Sequence, residues 1–154
     1  MPLVSKIIAA LALAVAAVPS MAQDPCATFK AEAASVAGFA GAKLDVVKSG
    51  NNVICEMYSA DRRANLRLIV EPAASAGGLA MRKMLAKNQK DPEIKAKDET
   101  GFGKDAFSFS TKQQVAFSAA GKGGLYNLTL NRDAVTGADE ERLRAMMKKL
   151  VDGG

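Results

Sequence analysis

The chain has no histidine and no tryptophan, only two cysteines, and aromatic side chains at 5% of its 154 positions. Without histidine it lacks the side chain that most often changes charge near neutral pH, and so the commonest general base and the commonest metal ligand. Six Phe and two Tyr supply few flat platforms for stacking bases or sugar rings. A formal charge of +5 is moderate, short of the imbalance of a dedicated nucleic-acid binder, so no nucleic-acid partner is expected. There is no Cys-x-x-Cys, which argues against thiol–disulfide catalysis, and no serine in a strand-to-helix elbow. The acids gather at Asp98-Glu99 and at Asp139-Glu140-Glu141, which read as a loop and a helix start. No catalytic residue, metal site or cofactor is expected.

The first thing present is an export signal. Lys6 is the only charge before a continuously apolar run, Ile7 to Val18. At about a dozen residues, that run suits a signal-peptide core and is shorter than the roughly 20 a spanning helix needs. Ser20 and Ala22 put small side chains at the minus-three and minus-one positions of a signal-peptidase site. Residues 1–22 therefore read as a cleavable secretory signal, with an uncleaved anchor as the alternative. Residues 23–154 read as one domain, soluble and periplasmic or secreted, without stable membrane insertion. Gln23-Asp24-Pro25 before Cys26 does not match the small residues that precede a lipid-modified cysteine.

Export gives the cysteines their meaning. In an oxidising compartment an even pair, Cys26 and Cys55, reads as a structural disulfide. Closing that loop restricts the unfolded chain by about 3.5 kcal/mol in the loop-entropy model.

Along the domain, Asp24-Pro25 offers an N-cap and a proline at the first helical position. Cys26, Phe29, Ala33, Val36 and Ala40 then form a narrow apolar helix stripe ending near Gly38 and Gly41. Three strands follow: Lys43–Lys48, Val53–Ser59 with Val53, Cys55 and Met57 on one face, and Leu66–Glu71 with Leu66, Leu68 and Val70 on one face. Ser75 to Gln89 reads as a second helix, with Leu79, Met81, Met84, Leu85 and Asn88 on one side and Arg82, Lys83, Lys87 and Lys90 opposite. Three more strands carry Phe107 and Phe109, then Val115, Phe117 and Ala119, then Tyr126, Leu128 and Leu130. Thr136 with Asp139 three residues on opens a last helix, whose buried face is Leu143, Met146, Met147, Leu150 and Val151. The predicted class is α+β in the order α-βββ-α-βββ-α, a mainly antiparallel sheet of about six strands with helices covering one face.

Gly101-Phe102-Gly103-Lys104-Asp105 leads into a strand and not a helix N-terminus, so it reads as a turn and not a phosphate cradle. Met57, Met81, Met84, Met146 and Met147 offer soft ligands for copper(I), but all lie on apolar stripes and read as core filler. The basic side chains Arg62, Arg63, Arg67, Arg82, Lys83, Lys87 and Lys90 form a candidate binding face for anionic lipid, lipopolysaccharide or an acidic partner. A solvated helix face is the plainer reading of the same residues. Asn127-Leu128-Thr129 matches a glycosylation acceptor, relevant only in a eukaryotic secretory route.

A cysteine opening a glycine-terminated helix, a second about 30 residues on within a strand, and Gly101-Phe102-Gly103-Lys104-Asp105-Ala106-Phe107 before further strands make up a familiar series. It resembles exported domains of unknown function in actinobacterial lipoproteins, and the extracellular sensor domains of mycobacterial serine/threonine kinases. That resemblance implies a helix-covered antiparallel sheet and a ligand- or partner-binding role without catalysis. The chain departs from that family in having no lipobox and a single cysteine pair. The expected function is therefore a non-catalytic binding or protein-interaction domain of the bacterial cell envelope, its partner an envelope protein or an anionic ligand. An exported enzyme or enzyme inhibitor is the alternative.

Overall fold

The structure, a computed structural model, describes residues 23–153; the signal-peptide reading of residues 1–22 lies outside the described residues. Helix α1 (Pro25–Ala33) precedes strands β1 (Leu44–Ser49), β2 (Asn52–Tyr58) and β3 (Asn65–Glu71). A 3-10 turn (Ala73–Gly78) and helix α2 (Leu79–Lys87) lead to β4 (Lys95–Asp98), β5 (Lys104–Ser110), β6 (Gln114–Gly121) and β7 (Gly124–Asn131), and α3 (Gly137–Asp152) closes the chain. The strands form one sheet in the order β1-β2-β3-β7-β6-β5-β4, and every neighbouring pair is antiparallel. The α+β class and antiparallel sheet agree with the sequence reading, but there are seven strands and not six. The extra strand is β4, Lys-Ala-Lys-Asp, a four-residue edge too short and polar to announce itself by alternation.

The starts of α1 and α3 follow from their caps. The Asp24 carboxylate accepts the Cys26 N–H at 3.0 Å, with Pro25 as the first helical residue. At α3, Thr136 Oγ1 accepts the Asp139 N–H at 3.2 Å while the Asp139 carboxylate accepts the Thr136 N–H at 2.9 Å, a reciprocal pairing of orphan backbone donors. Helix α1 stops at Ala33, earlier than its stripe suggests. Val36 and Phe39 are buried from the following turns, and Ala40 is exposed.

Residues directly paired across an antiparallel sheet share a face, so the registers sort the core into two sides. Val46, Cys55, Leu68, Leu128, Phe117 and Ser108 form one row, the side covered by α1 and α3 and holding the main core. Val47, Ile54, Ile69, Asn127, Ser118 and Phe107 form the adjacent row on the opposite side. There Leu79 of α2 packs with Phe107 and Leu125 in a small separate cluster. Helices therefore lie on both faces, correcting the expectation of one covered face. Asp105, at φ 52°, belongs to the irregularity between Lys104 and Phe107. That bulge keeps Ala106 in the main core and turns Phe107 to α2.

The glycine loop is a plug. Phe102 is 4% exposed and its ring lies 6.3 Å from that of Phe117. Gly103, at φ 58°, has no room for a side chain: a Cβ there would stand 2.8 Å from the Ala120 carbonyl oxygen.

Candidate interaction surface

Cys26 and Cys55 form a disulfide buried between α1 and the middle of β2. It joins helix layer to sheet, as their positions on facing stripes imply, and does no chemistry at the surface.

The seven basic residues do not make one face. Arg62 and Arg63 lie in the β2–β3 turn, while α2 begins beyond the other end of β3, a strand of seven residues that spans about 20 Å. Most of them are also neutralised. Arg63 pairs with Asp133, and Arg67 with Glu56 at 2.6 Å. Arg82 forks onto both oxygens of Glu71 at 2.7 and 3.0 Å. Lys83 and Lys87 reach Asp98 at 2.8 and 2.9 Å. The Arg62 guanidinium stands 6.0 Å from the Tyr58 ring centroid.

Arg62 and Arg63 instead join Arg132, which the sequence reading passed over. Together with Gln114, Asn131 and Asp133 they line a shallow cleft of about 440 Å³ at the end of the sheet. Arg132 is already committed. It donates to Asp139 at 2.9 Å and to the Ala37 carbonyl at 2.6 Å, so it ties β7 to the α3 cap and the loop after α1. Its positive charge is balanced in place.

Helix α2 is set opposite to the expected orientation. At 100° per residue, Leu79 and Ala86 point to the sheet, where they pack with Phe107 and Leu125. Met81, Met84 and Leu85 lie on the far side of the helix, 63%, 55% and 56% exposed. The methionines thus separate: Met57, Met146 and Met147 are core, whereas Met81 and Met84 face solvent. Ion pairs to the sheet accompany this setting. Glu71 closes β3 and Asp98 closes β4, both on the α2 side of the sheet, because Glu71 pairs with Leu125 and Asp98 with Phe107. They draw Arg82 to one shoulder of α2 and Lys83 and Lys87 to the other. The hydrogen bond from Arg82 holds the Glu71 carboxyl below its ordinary value against the opposing effect of burial. Asn127 also donates to Glu71 at 2.9 Å, and Ser118 to Asn127 at 2.8 Å, extending the clamp across β7 and β6.

The outcome is a crest of three large apolar side chains within about 100° of helix arc, with a base on each shoulder. Scattered exposed apolar residues are ordinary, but these three lie together, which makes them a candidate contact surface. At the β1 edge, Val46 and Val47 are also half exposed, one on each face, with Lys43, Asp45 and Lys48 around them in the manner of a guarded edge strand.

Among the described residues no group of three or more His, Cys, Asp or Glu side chains is placed to hold a metal ion, and no helix is long and apolar enough to cross a membrane. No family model, curated protein or solved structure matches the chain.

Proposed function

We propose that the chain is an exported, non-catalytic interaction domain of the bacterial cell envelope, which makes contact through the outward face of α2. The observation that carries this reading is the crest of Met81, Met84 and Leu85, left in solvent by a helix whose polar side is spent on the sheet. Turning these residues inward would bury more apolar surface on Phe107 and Leu125 but strip Glu71 and Asp98 of their cations. The signal-like residues 1–22, the disulfide and the partner-binding role implied by the family resemblance support the same reading.

The experiment is site-specific photocrosslinking in intact cells that produce the chain, with the photoreactive residue at position 81, 84 or 85 and, as control, at Arg62. Adducts from the crest and none from position 62 are expected. Crest positions that crosslink no more than the control would overturn the proposal. Export is tested separately, by N-terminal sequencing of the protein from the cell envelope, which is expected to begin near Gln23.

A further inference from the structure

We infer that the α2 crest seats the domain on an anionic lipid bilayer, with Met81, Met84 and Leu85 entering the headgroup layer and the bases on either shoulder meeting lipid phosphates. This rests on the interaction reading above and supplies its partner.

Three observations favour a bilayer over a pocket-bound ligand or a shaped protein groove. The first is relief. The crest is convex, and five clefts on the described residues, of about 340 to 620 Å³, are all lined by residues outside α2. A crest without a cavity suits a plane. The second is charge. Residues 73–90 contain Arg82, Lys83, Lys87 and Lys90 and no Asp or Glu. Glu71 and Asp98, which pair with the first three, belong to the sheet and stand behind those bases as seen from the crest. The side chains of Arg82 and Lys87 remain 46% exposed, so each has donors left to meet a lipid phosphate while it stays paired with the sheet. Asp91 and Glu93 lie beyond the helix end, and Glu93 is held by Lys112 at 2.8 Å.

The third is side-chain character. Two of the three crest residues are unbranched methionines, which adapt to a fluid surface without demanding a matching shape. Apolar side chains outward with basic residues at the boundary are the pattern of a helix lying in a membrane interface. A nine-residue helix with three such side chains holds weakly and reversibly, so the attachment needs the charge as well as the crest.

The test is sedimentation of the chain from Gln23 onward, which includes every described element, with vesicles of two compositions. Binding is expected to vesicles of roughly one-third phosphatidylglycerol in phosphatidylethanolamine, and to be about tenfold weaker on phosphatidylcholine alone. About 0.5 M salt should release the protein from the anionic vesicles. The double variant Met84→Ser/Leu85→Ser should bind them about tenfold less. Lys87→Gln/Lys90→Gln should lose affinity for anionic vesicles only, and Arg62→Gln should bind as the parent does. All these positions are exposed, so unchanged circular dichroism is expected and verifies folding.

Equal binding to both compositions, indifference to the crest substitutions, or no binding to anionic vesicles at low salt would each overturn the inference. Vesicle failure together with protein adducts from position 84 overturns the bilayer but leaves the interaction reading standing; vesicle failure with no adducts overturns both.

Discussion

At the residue scale, a few side chains hold the layers together, each with a measurable consequence. Replacing Cys26 and Cys55 by Ser and Ala unties α1 from β2 and is expected to lower stability by about 3 kcal/mol, read by urea unfolding of the parent and the variant. Glu99, between β4 and the glycine loop, is 6% exposed at its side chain. It receives Arg144 of α3 at 2.9 Å and Ser108 at 2.6 Å. Burial alone would raise its pKa, but the hydrogen bonds from Arg144 and Ser108 outweigh burial and hold the carboxyl below its ordinary 4.5. A carboxyl more acidic folded than unfolded stabilises the fold fully above its unfolded pKa. That contribution is lost as pH falls through the lower folded value. Glu99→Gln is therefore expected to cost about 2 kcal/mol at neutral pH and to flatten the loss of stability below about pH 4.5; an unchanged acid limb would contradict this role. Gly124, at φ 145°, would bring a Cβ to 2.2 Å from the Glu71 carbonyl oxygen. Gly124→Ala should cost about 2 kcal/mol or more, read the same way.

Among the three described helices, α2 is the least buried. Leu79 is its single buried residue, whereas α3 buries six. Local opening free energy follows buried apolar contact, so α2 amides are expected to exchange hydrogen faster than those of α3, and Leu79→Ala should speed α2 exchange further while leaving α3 protected. Equal protection in the two helices would contradict this. The setting of α2 also shows where the sequence stopped being informative. The sequence reading groups Met81, Met84 and Leu85 correctly but places Leu79 with them, whereas at 100° per residue Leu79 lies on the sheet side of the helix, between Arg82 and Lys83. The partners of its bases, Glu71 and Asp98, stand 11 residues from Arg82 and Lys87 respectively, and their place on the α2 face depends on sheet register. The 3-10 turn before α2 has a local cause, since Gly77-Gly78 interrupts what otherwise reads as one helix from Ser75. Elements with strong local chemistry were legible: the proline start of α1, the Thr136–Asp139 box of α3 and the alternation of β2, β3, β6 and β7. Strand β4 was not, because four residues, three of them charged, form a strand only where β5 offers an edge.

At the scale of the whole molecule, the sheet has unequal faces. One is sealed by α1 and α3 over the main core, cross-linked by the disulfide and the Glu99–Arg144 and Arg132–Asp139 pairs. The other is capped at one end by α2 and presents the Met81–Met84–Leu85 crest. Most of the buried core thereby lies on the first side, and the proposed contact lies on the second. The disulfide and its facing stripes were readable in the sequence. The crest was visible only as a stripe, and the joining of Arg132 to Arg62 and Arg63 was invisible, because β7 meets β3 across more than 60 residues of chain (Asn65 against Asn131).

The most direct measurement is a paired one on the triple variant Met81→Ser/Met84→Ser/Leu85→Ser: its unfolding free energy, and its distribution between envelope-bound and free fractions after cell lysis. A surface kept for contact predicts stability within about 0.5 kcal/mol of the parent together with loss of the envelope-bound fraction. A variant that loses several kcal/mol, or one that stays with the envelope as the parent does, would contradict the account.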